Sequence, residues 1–164
     1  MKIRFATIND LKSIIDIYNQ AINAGNATAD LNELNSSDRK EWFLEHNKDK
    51  YPIYILEVDD KIIGWGSLSP YRKGRGGLRE TAEISYYLDY NYHRLGYGKM
   101  LIEYIINDCK RLRIKNLFAL LLEINKASII ILEKFGFTKW GFMPDVINLN
   151  GISCGHLIYG KKVN

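Results

Sequence analysis

The chain has 164 residues, 46% apolar and 26% charged, proportions that suit one globular domain with its own core and exclude disorder as the main state. Lys and Arg number 23 against 19 Asp and Glu, a net charge of +4. Arg72, Lys73, Arg75 and Arg79 carry that whole excess within "RKGRGGLR", which reads as a local anion-binding loop and not as the broad basic face of a nucleic-acid binder.

In chain order, residues 2–6 alternate like a strand. Asn9 and Asp10 then stand where a helix cap is expected, and Leu11, Ile14, Ile15, Tyr18 and Ile22 follow at helical spacing. Residues 24–35 read as a loop, and Ser36 or Ser37 as the cap of a second helix through "DRKEWFLEH". Two strands at 52–58 and 61–69 flank Asp59-Asp60, a tight-hairpin signal. After the basic loop at 71–79, residues 81–90 read as a long strand. Met100, Leu101, Tyr104, Ile105, Cys109 and Leu112 trace one face of a third helix. Residues 116–123 form a continuous apolar run, the mark of a strand buried on both faces. Asn125 caps a short helix that Gly136 ends, and strands near 138–144 and 152–161 flank Asn150-Gly151. Strand, helix, strand over 81–122 requires a parallel pair. The expected fold is a mixed, mostly antiparallel α/β sheet of six or seven strands, flanked by helices, with one central parallel βαβ unit.

Cys109 and Cys154 form no CxxC pair or disulfide framework, and His46, His93 and His156 show no metal-ligand spacing. No metal is expected. Without a secretory signal or an apolar run long enough for a bilayer, the expected location is the cytoplasm.

The segment "LDYNYHRLGYGKML" (88–101) puts Gly96 and Gly98 at a helix entrance, where bare backbone N–H groups suit an anion. The dinucleotide fingerprint fails because Leu101 stands where its third glycine belongs, and the P-loop fails on spacing and on its missing hydroxyl. Together with "NKASIIILEKFGF" (125–137), the segment resembles the Gcn5-related N-acetyltransferase superfamily. "DRKEWF" (38–43), "TAEISYYLD" (81–89) and "EKFGFTKWG" (133–141) resemble its phosphinothricin acetyltransferase branch, over nearly the whole chain. The chain departs from the pattern at three places. His93 stands for Gln or Arg, Leu132 for a tyrosine that many members use as general acid, and Ser153, Cys154 and Gly155 for an aromatic-plus-Asp segment.

The resemblance implies acetyl-CoA as cosubstrate and a small amino-acid-like amine as acceptor, of the phosphinothricin or methionine sulfoximine type. It implies that coenzyme A pyrophosphate binds Arg94, Leu95, Gly96, Tyr97, Gly98 and Lys99. Tyr86, Tyr87 and Leu88 would contribute backbone contacts, Asn125 a further contact, and Glu83 the general base. Arg75, then Arg72, are expected to hold the acceptor's carboxylate or phosphinate, and a homodimer is expected. Three alternatives remain: another acceptor such as a protein N-terminus, an inactive acyl-CoA sensor, or a nucleic-acid-binding module suggested by 11 tyrosines.

Overall fold

A computed structural model describes residues 1–163. Seven strands form one sheet: β1 (Lys2–Phe5), β2 (Ile53–Val58), β3 (Lys61–Pro70), β4 (Thr81–Leu88), β5 (Asn116–Leu122), β6 (Thr138–Leu149) and β7 (Ile152–Lys162). Four helices join them: α1 (Leu11–Ala24), α2 (Ser36–Glu45), α3 (Tyr97–Asp108) and α4 (Lys126–Lys134). The sheet order is β1-β2-β3-β4-β5-β7-β6. Among the described residues only β4 and β5 pair in parallel, as a strand-helix-strand crossover demands.

The turns follow the local chemistry. Asp59 and Asp60 both take positive φ between β2 and β3, as do Asn150 and Gly151 between β6 and β7, the geometry of a two-residue hairpin. Gly136 ends α4 at φ +78, and the Asn125 side chain accepts from the Ser128 N–H at 3.1 Å. The expected serine cap of α2 is corrected: Asn35 takes that place, accepting from the N–H groups of Ser37 and Asp38, so the serines fall in the first turn. The strand expected to run to residue 90 stops at Leu88, because Asp89 caps a short 3-10 turn over Tyr90–Tyr92. The strand expected near 138–144 runs on to Leu149, with register shifts between Lys139 and Gly141 and between Met143 and Ile147 absorbing the bends.

Each face of the sheet buries a different helix pair. Leu56, Leu68, Ala82, Ile84 and Leu121 pack with Leu101, Ile102 and Ile105 of α3 and Leu132 of α4. Ile53, Ile55 and Trp65 pack with Ile14, Ile17, Tyr18 and Ile22 of α1, with Trp42 of α2 against them. Period-two alternation along the strands assigns the residues to the two faces. Among the described residues, no helix is long and apolar enough to cross a membrane.

Candidate active site

The site begins where the sheet parts. β4 pairs with β3 along its length, from Pro70↔Ala82 to Gly64↔Leu88. On its other side it meets β5 only at Thr81, Ala82 and Glu83. Beyond Glu83 the two strands share no register, so the second half of β4 presents an open edge inside the sheet. The Asp89 N–H donates to the Ile63 carbonyl at 2.8 Å on the β3 side. Backbone direction alternates, so the N–H and C=O groups of Tyr86 and Leu88 face the gap. The Leu88 carbonyl lies 3.1 Å from His93 Nε2. An extended amide chain laid in the gap would meet this edge as another strand would.

α3 starts at the end of the gap. Gly96 is its N-cap, with φ +88 and no side-chain cap bond. The first N–H with an intrahelical partner is that of Met100, bonded to the Gly96 carbonyl at 3.2 Å. The N–H groups of Tyr97, Gly98 and Lys99 therefore form an uncapped first turn. Nothing stands within 4 Å of where a Gly96 Cβ would lie, whereas a Gly98 Cβ would meet Leu88 Cδ1 at 3.1 Å. Gly96 is required by its φ, and Gly98 by the approach of α3 to β4. Arg94, itself at φ +64, and Lys99 add positive charge to a helix end already favourable to anions.

On the opposite face of the sheet lies a pocket of about 340 Å³. Its floor comes from β3 and β4, where Trp65, Ser67 and Ser69 stand in register with Tyr87, Ser85 and Glu83. Tyr18 and Trp42 wall it from α1 and α2, and Leu120, Leu122 and His156 from β5 and β7. The aromatic groups hold one another: Tyr18 meets Tyr87 edge-on at 4.8 Å, and Trp42 meets Trp65 at 5.7 Å.

Glu83 makes no hydrogen bond or ion pair with the described residues. Burial alone pushes its carboxyl above the ordinary value. Arg79, two residues before the start of β4, does not pair with Glu83 and donates instead to the Gly76 carbonyl at 3.2 Å. An unpaired, half-buried carboxylate contributes little to folding and is suited to accept a proton.

Arg72 and Arg75 are exposed and do not line the pocket; Arg72 sits over the Tyr71 ring at 5.7 Å. The cation that lines it is Arg39 on α2. Its guanidinium lies 5.2 Å from the Tyr18 ring and 5.7 Å from the Trp42 ring, and 3.0 Å from Asp30 Oδ2. Nothing in the sequence distinguished Arg39 from Lys40 beside it, since only the docking of α2 on the sheet chooses the residue that faces inward. His156 was likewise missed; burial lowers its pKa, which keeps the ring neutral at pH 7. Leu132 is completely buried and carries no proton donor. Tyr86 turns its ring to the α3 and α4 side, where burial pushes its phenol up to about 12.

Comparison with known proteins agrees with this geometry. The acetyltransferase (GNAT) domain family matches residues 3–158. YwnH of Bacillus subtilis, provisionally named a phosphinothricin acetyltransferase, is 31% identical over 165 residues, spanning the whole of both chains. The L-methionine sulfoximine/L-methionine sulfone acetyltransferase of Pseudomonas aeruginosa is 31% identical over 147 residues, 88% of this chain and 84% of that protein. The structure of yncA from Salmonella typhimurium, solved with its cofactor acetyl-CoA, superposes with a TM-score of 0.91 at 26% identity, covering 99% of this chain and 94% of that one. A gap that parts the sheet, an uncapped helix beside it and a carboxylate across it occur here in a chain that belongs to the GNAT acetyltransferase family.

Proposed function

We propose that the protein transfers the acetyl group of acetyl-CoA to the amino group of a small amino-acid-like acceptor, with Glu83 as general base. The observation that carries this reading is the unpaired Glu83 carboxylate, which lines the pocket on one side of β4 just where the strand edge opens to the gap.

The residues present fit acetyl-CoA. The uncapped N–H groups of Tyr97, Gly98 and Lys99, with Arg94 and Lys99, would hold its pyrophosphate, and open space at Gly96 leaves room for it. The edge of Tyr86 and Leu88 would pair with pantetheine amides, and Asn125 at the start of α4 would border the same gap. When bound, the thioester supplies an activated acyl carbon. The acceptor arrives as an ammonium ion, which has no lone pair to attack with, and Glu83 takes its proton. A backbone N–H of the open edge, at Leu88, would then donate to the acyl oxygen as negative charge develops there, and as that charge collapses the C–S bond would break and the coenzyme A thiolate would leave, with the proton taken from the amine available to it. Arg39, held over two aromatic rings, would bind the acceptor's carboxylate, and the apolar walls would enclose its side chain. Methionine sulfoximine and methionine sulfone, named for the Pseudomonas relative, have this form.

The test is thiol release from acetyl-CoA with phosphinothricin, methionine sulfoximine, ordinary amino acids, polyamines and a peptide N-terminus. Turnover is expected on an amino-acid analogue. Glu83→Gln should reduce it about 10²–10⁴-fold and leave acetyl-CoA affinity unchanged; a folded Gln variant with near-normal turnover would falsify the assignment. Trp140, Phe142, Val146 and Ile152 on β6 and β7 are exposed, and this apolar surface supports a homodimer. Light scattering should then return twice the chain mass.

A further inference from the structure

An amino-acid acceptor has three arms, and the pocket offers a different wall to each. With Glu83 as proton acceptor, the amine lies at the β4 edge. With Arg39 as anion binder, the carboxylate lies under α2, where the guanidinium is held over Tyr18 and Trp42. The direction left for the side chain is across the gap, toward β5 and β7. Leu120 and Leu122 of β5 come first. His156 follows on β7, in register with Leu122 and one strand spacing beyond it, about 5 Å. A side chain that starts at the gap therefore passes its first carbons over the leucines and ends at the imidazole.

Alternation along β7 sends Leu157 into the core under α3 and His156 into the pocket. Its register neighbours, Leu122 on β5 and Met143 on β6, carry no hydrogen-bonding side chain. The half-buried ring makes no hydrogen bond or ion pair with the described residues. The titratable groups that share the pocket with it are Arg39 from α2, Tyr18 from α1, and Glu83 and Tyr87 from β4. On its own strand Cys154 is buried on the same face, while Glu123 stands beside Gly155 on the other. Burial lowers the His156 pKa, and the ring is neutral at pH 7. One nitrogen is then an N–H donor and the other a lone pair. Such a ring gives a hydrogen bond to an oxygen or takes one from an N–H, but has no charge to offer an anion. Arg39, the cation among the lining residues, is engaged at the other end by the carboxylate. An anionic side-chain end would lose its water against Leu122 and His156 with no counter-charge.

We propose that His156 is a specificity-determining residue, which reads the far end of the acceptor side chain and selects a neutral hydrogen-bonding group, such as a sulfone, sulfoximine or amide, over an anionic one such as a phosphinate. The inference rests on the reading of Glu83 and Arg39 as the sites of amine and carboxylate.

The experiment compares kcat/KM for methionine sulfone, norleucine and phosphinothricin in the wild type, His156→Leu, His156→Gln and His156→Lys. Norleucine matches the sulfone in length and lacks its oxygens. The wild type should prefer the sulfone to both others. His156→Leu should lower the sulfone-to-norleucine ratio about 3- to 10-fold, the worth of one hydrogen bond. His156→Gln, which keeps a donor, should retain most of that ratio, and His156→Lys should shift preference toward phosphinothricin. As the pH falls from about 8 to about 5 the ring gains its proton, so the phosphinothricin-to-sulfone ratio should rise in the wild type and stay flat in His156→Gln. The titration of Glu83 is common to both acceptors and cancels in the ratio. Equal losses of sulfone and norleucine in His156→Leu, ratios indifferent to residue 156, or a wild type that prefers phosphinothricin at pH 7 would each overturn the proposal. Trp42 and Trp65 line the pocket, so quenching of tryptophan fluorescence by methionine sulfone reports binding without turnover. Sulfone binding that depends on His156 in a protein that acetylates no amino acid would overturn the acetyl-transfer reading and leave the specificity assignment standing. Absence of both binding and turnover would overturn both.

Discussion

At the scale of single residues, Glu83 and Arg39 make opposite predictions about stability. Burial raises the Glu83 pKa. A carboxyl whose folded pKa lies above its unfolded one favours folding when protonated, and that advantage is lost as pH rises through the folded value. At pH 7 the charged side chain therefore opposes folding, and Glu83→Gln should melt at the same temperature as the wild type or higher, even though turnover collapses. Thermal denaturation checks this, and a clear loss of Tm would mean that Glu83 has a structural partner. Arg39 differs, since its guanidinium joins Asp30, Tyr18 and Trp42. Arg39→Gln should lower stability by up to about 1 kcal/mol and raise the acceptor KM about tenfold or more, with kcat for a saturating acceptor much less affected. Equal losses of kcat and kcat/KM would place its effect in the transition state instead. Alternation along "TAEISYYL" opposes Glu83 to buried Ala82 and Ile84, so the face it lies on was legible in the sequence, whereas its role as a base is implied only by the family resemblance. Arg39 was not legible, because a helix that buries no side chain fully leaves no apolar stripe to tell which polar residue turns inward.

At the scale of elements, the entrance to α3 joins two demands that the sequence showed as one. Gly96 sits at φ +88 with open space beside it, so an added methyl group meets no neighbour but strains the backbone. Gly96→Ala should cost about 1–2 kcal/mol, measured by denaturant unfolding, and raise the acetyl-CoA KM because the first turn of N–H groups tilts away. Gly98 has the reverse problem, a neighbour at 3.1 Å in Leu88. A double substitution Gly98→Ala/Leu88→Val should therefore recover stability lost in Gly98→Ala alone, which no second change at Leu88 should do for Gly96→Ala. The glycine spacing announced the element. The division of labour was hidden, because β4 and α3 meet only once β3 has fixed the position of β4. The parting of β4 and β5 was equally hidden: strand pattern reports which faces are buried and says nothing about where two parallel neighbours cease to pair.

At the scale of the molecule, the sheet was legible because both of its signals are local. Apolar alternation marks each strand, and Asp59-Asp60 and Asn150-Gly151 mark two of its turns. The first strand pairs with β2 along its backbone, and a long-range ionic cluster ties it down further. Arg4 on β1 donates to both carboxylate oxygens of Asp10 at 2.7 and 2.8 Å, and through Nε to Glu57 on β2 at 2.7 Å. The Thr7 N–H also donates to Asp10 at 2.7 Å. These bonds, the one from Arg4 foremost, hold the Asp10 carboxyl below the ordinary carboxylate value. An acid with a depressed folded pKa contributes stability that is fully present above its unfolded value, near about 3.9, and lost as pH falls through the folded value. The wild type should therefore lose Tm below about pH 4. Asp10→Asn should be less stable at pH 7 by about 1–3 kcal/mol, the range for removing one partner of a hydrogen-bonded charged pair that is partly screened. The gap between the two proteins should narrow as the pH falls, since acid does to the wild type what the substitution has already done. Glu83 works against this trend, because its protonation favours the fold in the same acid range. In a Glu83→Gln background the acid loss of Tm should therefore be steeper than in the wild type, and parallel melting curves across pH 3–7 would show that the two carboxyl groups do not have the opposed environments the sheet gives them.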